Sequence, residues 1–238
     1  MKYLSSSALL GLFGLAVSPS VHGSLIFTEI MYDPANSEFQ WEWIELYNAG
    51  SAPIELGGYV FDDDNGSALT AGLPVFALGP GAFVVLFDDD AADKRSLFQS
   101  AWGGGFSLLG ISEWSRIGLN NGGEQISLWS TFADYDGDHE VHANALLSFD
   151  YPDLATDGYS IYLTDYTADP LDPTNWAKSE VGVAGAFAGG LGNVEVGSPG
   201  TGPVPLATPP SAVIPEPSSL LLTLGAGFAG LLCLRRRR

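Results

Sequence analysis

The chain has 238 residues, and its 28 acidic side chains outnumber 9 lysines and arginines, giving a formal net charge of −19. This charge argues against nucleic-acid binding, because phosphate backbones are normally neutralised by lysine and arginine. The single cysteine, Cys233, excludes an internal disulfide.

Residues 1–23 have the pattern of a secretory signal peptide. Lys2 gives a positive start, an apolar stretch covers residues 8–17, and the small residues Val21 and Gly23 stand at positions −3 and −1 before Ser24. We therefore predict that this segment is cleaved and that the rest of the chain is exported.

Residues 24–200 are predicted to form one all-β domain. Seven stretches rich in β-branched and aromatic residues alternate with Gly, Pro, Asn and Asp clusters, a pattern typical of a β-sandwich or barrel. They cover residues 24–32, 42–48, 57–62, 82–88, 124–130, 145–151 and 159–165. One short helix is predicted within residues 89–102. Residues 24–212 carry 27 acidic and 4 basic side chains, a formal net charge of −23.

Two pairs of residues on or beside the predicted strands are candidates for a specific binding or structural role. Trp41 and Trp43 flank Glu42 and share one side of a strand, where they would either stack on sugar rings or be buried at the sheet and its rim. Glu29 and Glu45 interrupt apolar strands. We predict that they are hydrogen-bonded structural carboxylates, because an unpaired carboxylate is costly to bury.

The strongest candidate for a metal site is the segment DYDGDHE, where Asp134, Asp136, Asp138 and Glu140 occupy alternate positions. Calcium needs several converging oxygen ligands at about 2.3–2.6 Å, which such a loop can supply. The segment departs from the EF-hand pattern at the invariant glycine and at the bidentate glutamate. An Asp-Gly hairpin turn with solubilising acids is therefore the alternative interpretation.

We expect no catalytic centre in this domain. His139 and His142 are the only histidines after the signal peptide, and their spacing differs from that of the HExxH zinc helix. The sequence contains no GxSxG nucleophile motif and no cysteine within residues 24–212. Carboxylate pairs suited to glycoside hydrolysis are expected by chance among so many acids, which makes a carbohydrate-active enzyme the weaker alternative.

The C-terminal region combines a Pro-rich spacer with a candidate membrane anchor. Residues 201–212 are predicted to be extended and semi-rigid. Within residues 213–238, Pro215-Glu216-Pro217 precedes an uncharged run, 218–234, that would form a transmembrane helix of about 25 Å. Four arginines follow, and they favour a cytoplasmic location for the C-terminal end of this helix. They are Arg235, Arg236, Arg237 and Arg238.

This arrangement of Pro-Glu-Pro, apolar helix and arginine cluster resembles the PEP-CTERM sorting signal. The resemblance implies recognition by an exosortase-like protease-transferase, in bacteria that make exopolysaccharide. The precursor would be held transiently in the inner membrane and processed near Pro-Glu-Pro, so that the domain is released or re-attached at the cell surface. The signal identifies a destination and says nothing of an activity.

The domain itself resembles the lamin-tail family, an Ig-like β-sandwich. The stretches IFTEIMYDP and EWIELYNAGSAPIELGGYVFDD are similar to its opening, LGPGAFVVL and LNNGGEQISLW to later strands, and TNWAKS with GSPG to its closing segment. Segments near residues 91–115, 131–142 and 152–158 resemble insertions. The resemblance implies a binding or structural module rather than an enzyme.

The sequence therefore predicts an exported, non-catalytic module of the cell surface or extracellular matrix. Exopolysaccharide is a candidate partner, calcium is a candidate but not a required ligand, and nucleic acid is not expected. An accessory role in extracellular nucleic-acid processing is the main alternative, and the net charge of residues 24–212 opposes it.

Overall fold

A computed structural model of the chain describes residues 25–36, 41–63, 66–154 and 157–201. The predicted signal peptide, the sorting signal and all but the first residue of the spacer lie outside these ranges. Among the residues so described, no helix is both long and apolar enough to cross a membrane. The predicted span, 218–234, lies outside them.

The described part of the chain is built mostly of β-strands, with 13 strands and two short α-helices. In chain order the strands are β1 (Leu25–Met31), β2 (Trp43–Asn48), β3 (Ile54–Glu55), β4 (Val60–Asp62), β5 (Ala77–Leu78), β6 (Phe83–Asp88), β7 (Ser107–Ile111), β8 (Glu124–Trp129), β9 (Leu147–Tyr151), β10 (Ile161–Leu163), β11 (Trp176–Lys178), β12 (Phe187–Gly189) and β13 (Glu195–Gly197). The helices are α1 (Lys94–Trp102) and α2 (Phe132–Asp138).

Two sheets pack against each other around the main core. The larger has six strands in the order β11-β10-β1-β2-β6-β7, and the smaller has three in the order β4-β8-β9. All neighbours are antiparallel except β6 and β7, which are parallel. Ile44 and Leu86 of the larger sheet join Phe61, Ile126 and Phe149 of the smaller in one buried cluster. This arrangement is that of a β-sandwich.

The opposite face of the six-stranded sheet is covered as well. Met31, Trp43 and Phe87 form a second buried cluster with Phe98 and Trp102 of α1. The rings of Trp43 and Trp102 meet edge to face, with centroids 5.6 Å apart. Because both faces are covered, every residue of β1 and β2 is buried, which explains why these strands are so apolar.

The strand predictions are confirmed, since each of the seven predicted stretches contains an observed strand, and α1 lies within the predicted helix. The segment 91–115, which was expected to be inserted, supplies α1 and the sheet strand β7. The strand signal of β7 is weak because Gly110 interrupts it. A side chain at this position would collide with Asp89.

The packing of α1 leads to a stability prediction. Phe98 is 1% exposed and its ring lies 4.8 Å from that of Phe87, whereas the adjacent Leu97 is 42% exposed. We expect Phe98→Ala to lower the free energy of unfolding by about 3–5 kcal/mol, because it removes a buried ring and leaves a cavity.

Leu97→Ala is the matched control on the same helix and should change the free energy of unfolding by only about 0.5 kcal/mol. Urea denaturation of the two variants measures both effects. Equal losses would contradict the packing of α1 on the sheet.

Candidate functional site

The acidic segment DYDGDHE lies in and just after helix α2, in a conformation unlike either predicted alternative. The helix begins at a reciprocal cap, in which Thr131 Oγ1 accepts a hydrogen bond from Asp134 N at 3.1 Å and donates one to Asp134 Oδ2 at 2.7 Å. Ser130 Oγ also donates to this carboxylate at 2.7 Å. These side-chain hydrogen bonds lower the pKa of Asp134.

Asp138 is buried and holds the turn that follows α2. Its carboxylate accepts hydrogen bonds from Trp129 Nε1 at 3.1 Å, Ala143 N at 3.0 Å and Asn144 N at 2.7 Å. Burial on its own would raise the pKa of Asp138, but these hydrogen bonds outweigh burial and lower it. The carboxylate thus joins β8 to the segment after the helix.

The predicted calcium ligands are therefore not assembled as a loop would assemble them. Asp134 and Asp138 accept hydrogen bonds within the protein, while Asp136 and Glu140 are exposed. Residues two apart on a helix do not share a face, so alternate spacing does not bring carboxylates together here. In the described ranges, no group of three or more His, Cys, Asp or Glu side chains lies close enough to hold a metal ion. The structure also differs from the alternative hairpin turn, because Phe132–Asp138 forms helix α2.

A serine and a histidine that the sequence did not bring together are in contact beside this helix. Ser127 Oγ lies 2.8 Å from His142 Nδ1 and donates to Ser148 Oγ at 2.8 Å. Ser127 is fully buried, so a substrate cannot reach its hydroxyl. The contact links β8, β9 and the turn between them.

The two tryptophans that could have formed a sugar-stacking surface are buried. Trp41 is 6% exposed and Trp43 is 0% exposed. Neither ring offers an open face, so the carbohydrate-stacking interpretation is wrong and the alternative, burial at the sheet, is confirmed.

The most distinctive polar arrangement is a pair of buried glutamates on neighbouring strands. Glu29 of β1 is paired in register with Glu45 of β2, immediately after a β-bulge between Phe27 and Glu29. Their exposed fractions are 2% and 0%. Opposed residues in antiparallel strands have Cβ atoms about 4.5–5.5 Å apart, so the two carboxyl groups are close neighbours in the protein interior.

Glu29 is held by serines from two other parts of the chain. Its Oε1 accepts hydrogen bonds from Ser160 Oγ at 2.5 Å and Ser198 N at 2.8 Å, and its Oε2 accepts one from Ser198 Oγ at 2.7 Å. Ser160 Oγ also lies 2.7 Å from Ser179 Oγ. The carboxyl group therefore connects β1 to the chain just after β13.

Glu45 binds the same part of the chain two residues further on, at Gly200. Its Oε1 accepts a hydrogen bond from Thr28 Oγ1 at 2.6 Å, and its Oε2 accepts one from Gly200 N at 2.5 Å. We call residues 198–201 the C-terminal strap. The two glutamates thus fasten the strap across the sheet at the point where the Pro-rich spacer begins.

The electrostatics of this pair favour a bound proton. Burial raises the pKa of Glu29 to about 7. Burial, and then the negative charge of Glu29, raise the pKa of Glu45 to about 8. The donors around the pair are hydroxyl and backbone N–H groups, which stabilise a carboxylate less than a cation would. Near neutral pH the pair therefore keeps at least one proton.

The prediction that Glu29 and Glu45 are hydrogen-bonded structural carboxylates is confirmed. Their partners Ser160, Ser179 and Ser198 could not be identified from the sequence, because the contacts join residues 131 and 169 positions apart. The available signal was a glutamate within each of two apolar strands, which requires donors from elsewhere.

The raised pKa values predict an unusual dependence of stability on pH. Unfolded glutamates titrate near 4.3, so between that value and about 8 the folded state holds protons that the unfolded state releases. The stabilisation is complete below the unfolded pKa and is lost as pH rises through the folded pKa. The free energy of unfolding should fall by about 1.4 kcal/mol per pH unit for each such proton.

Glu45→Gln removes one titrating group and keeps the side-chain shape, so the slope between pH 5 and 8 should become shallower. Glu55→Gln, at an exposed position of β3, is the control and should leave the slope unchanged. Urea denaturation at several pH values measures the slope. An identical pH dependence in wild type and Glu45→Gln would show that the pair does not bind the proton.

Comparison with known proteins relates this fold and this C-terminal region to two families. The family model described as Lamin Tail Domain matches residues 18–167. The model described as PEP-CTERM protein-sorting motif matches residues 213–238. Such a motif implies export and sorting by an exosortase from a membrane-anchored precursor.

No curated protein matches this chain. Among solved structures, a DUF4876 family protein from Bacteroides thetaiotaomicron VPI-5482 is similar at 13% identity and a TM-score of 0.38, over 76% of this chain and 72% of that one. The Lamin Tail Domain match spans more than half of the residues. The chain therefore belongs to the Lamin Tail Domain family and carries a PEP-CTERM sorting motif.

Proposed function

We propose that this protein is an exported, non-catalytic binding or structural module of the cell surface or extracellular matrix, delivered there by an exosortase. The observation that carries the proposal is the combination of a Lamin Tail Domain with a PEP-CTERM motif in one chain. The Lamin Tail Domain forms the β-sandwich, and the PEP-CTERM motif directs its sorting.

The way in which the chain leaves the sandwich supports delivery of an intact domain. The C-terminal strap is bound by Glu29 and Glu45, so these side chains hold the chain to the sheet as far as Gly200. Residues 202–214 then separate the strap from Pro215. As a Pro-rich segment of about 3.1 Å per residue, this spacer would extend for roughly 40 Å. Processing near Pro215 would leave the hydrogen bonds of Glu29 and Glu45 and the core unchanged.

The charge of the exported part restricts its partners. At −23 over residues 24–212, it would attract cations and repel polyanions. Exopolysaccharide is the partner class we propose, bound through neutral sugar hydroxyls or through bridging cations. The same charge makes direct binding of nucleic acid the weaker alternative. The burial of Ser127 supports a structural role for its contact with His142.

The sorting step is tested by replacing Pro215-Glu216-Pro217 with Ala-Ala-Ala in the full chain. We expect the unprocessed protein to accumulate in the membrane fraction and the surface or medium form to be lost, because the processing enzyme would no longer recognise its site. Immunoblots of cell fractions measure both forms.

The control for this experiment is Pro209→Ala with Pro210→Ala in the same spacer, which should be processed normally. Deleting Arg235–Arg238 should separately weaken membrane retention, because the arginines favour a cytoplasmic end. Unchanged surface accumulation of the Ala-Ala-Ala variant would disprove sorting through this motif.

The binding role is tested by co-sedimentation of the processed protein with exopolysaccharide isolated from the producing cells. We expect retention by the polysaccharide and, at low ionic strength, no retention by duplex DNA, because the protein is strongly acidic. Addition of calcium distinguishes direct binding from cation bridging. Retention by DNA but not by polysaccharide would favour the nucleic-acid alternative.

A further inference from the structure

Two uncharged segments of this strongly acidic chain lie side by side. Residues 96–112 and 181–194 contain no acidic or basic side chain, although residues 24–212 carry 27 acidic and 4 basic ones. Phe187 of the second segment meets Trp102 of the first edge to face, with ring centroids 5.8 Å apart. Gly190 N also donates a hydrogen bond to Ala101 O at 3.2 Å. Together the segments contribute an uncharged area to the surface of the domain.

A cleft of about 240 Å³ lies where these two segments meet the C-terminal strap. The side chains of Trp102, Phe106 and Phe187 line it, together with the glycines at positions 103–105 and residues of the strap. None of its lining residues is charged. Pockets for drug-sized ligands have volumes of roughly 300–1,000 Å³, so this cleft suits a smaller unit, such as one residue of a polymer.

The walls of the cleft are held in place by the fold. Trp102 is 2% exposed and packs edge to face on the buried Trp43. The strap is held by its hydrogen bonds to the glutamate pair, and Phe106 occupies the space that a side chain at Gly200 would need. Phe187 is nevertheless 37% exposed. The cleft therefore presents a supported aromatic ring to solvent, and a ligand that packs on it would order few side chains.

The glycines at positions 103–105 supply polar groups beside this ring. All three are exposed, and a side chain at any of them would meet no protein atom within 4 Å. Gly104 and Gly105 form no backbone hydrogen bond within the part of the chain that the structure describes. Their N–H and C=O groups are therefore available to water or to a ligand.

A neutral sugar residue matches this combination of groups. Its ring has an apolar face of C–H groups that can pack on an aromatic side chain, and its hydroxyl groups both donate and accept hydrogen bonds. An anionic polymer is disfavoured, because the domain as a whole repels it. A lipid surface fits less well, since it would remove water from the glycine backbone without supplying hydrogen-bond partners.

Given the proposed binding of exopolysaccharide, on which this inference rests, we propose that the cleft binds one residue of a neutral polysaccharide. The apolar face of the sugar packs on the exposed part of Phe187, and its hydroxyl groups form hydrogen bonds with the backbone of Gly104 and Gly105. Binding is then direct and needs no bridging cation. Because the strap forms one wall, the bound polymer lies beside Thr201, at the end of the domain where the spacer begins.

The test measures the affinity of the processed protein for exopolysaccharide isolated from the producing cells and divided by anion exchange into neutral and acidic fractions. We expect the wild type to bind the neutral fraction equally well with and without calcium. Phe187→Ala should weaken this binding about fivefold, because a stacking contact is lost. Phe132→Ala is the matched control and should leave the affinity unchanged, since Phe132 is also 37% exposed but lies on α2.

Gly104→Leu tests the site from its glycine wall. The new side chain has room beside the protein but takes the space of the sugar, so binding should weaken by at least the same factor. Gly137→Leu is the control, because Gly137 is also exposed, with no protein atom within 4 Å of an added side chain. Thermal unfolding verifies that all four variants are folded.

The outcomes separate this site from the proposed function. A wild type that binds neither fraction would overturn both the site and the proposed binding of exopolysaccharide. Wild-type binding that survives both Phe187→Ala and Gly104→Leu, or that occurs only with the acidic fraction and calcium, would overturn the site alone. Sedimentation with phosphatidylcholine vesicles tests the lipid alternative. Vesicle binding that is lost in Phe187→Ala, with polysaccharide binding unchanged, would assign the cleft to a membrane surface instead.

Discussion

The buried pair Glu29 and Glu45 is the constraint on which the closure of this domain depends. The six-stranded sheet must be covered on both faces, and apolar side chains of α1 complete only part of the outer face. Two carboxyl groups on the rest of that face cannot be covered by apolar chain, because unsatisfied buried carboxyls are costly. The strap supplies the missing donors through Ser198 and Gly200. Polar satisfaction therefore determines where the end of the chain is held.

The hydrogen bonds of Glu29 and Glu45 join the matched Lamin Tail Domain to the part of the chain that follows it. The Lamin Tail Domain match ends at residue 167 and includes Glu29, Glu45 and Ser160. Ser179 and the strap lie beyond it. The carboxyl groups and the first serine thus belong to the matched sandwich, while the residues that complete their hydrogen bonds lie on the way to the sorting motif.

The alternate spacing of the acidic residues in DYDGDHE suggests a metal site, but the carboxylates of Asp134 and Asp138 accept hydrogen bonds from the protein instead. Asp134 caps a helix, and Asp138 accepts four hydrogen bonds that hold a turn. Hydrogen bonds from protein groups lower the pKa of both carboxylates, so each carboxylate is stabilised in its charged form without a metal ion. The acidic character of the domain is therefore better understood as a property of its surface, which sets its solubility and its partners.

The amino-acid sequence by itself determined the seven predicted strands, helix α1 and the sorting motif. Strand formation follows from β-branched runs between turn residues, and a linear motif is complete within about 26 residues. The structural role of Glu29 and Glu45 was also predictable, because the cost of burying a carboxyl group does not depend on which residue pairs with it.

Only the tertiary structure decided which residues meet. It paired β7 in parallel with β6, covered Trp41 and Trp43, placed DYDGDHE in and just after helix α2, and brought Ser198 to Glu29 across 169 positions. Burial depends on what covers a face, and hydrogen-bond partners depend on which distant segments the fold brings together. Neither quantity is contained in a local window of sequence, which is why the strands could be predicted and the strap that closes them could not.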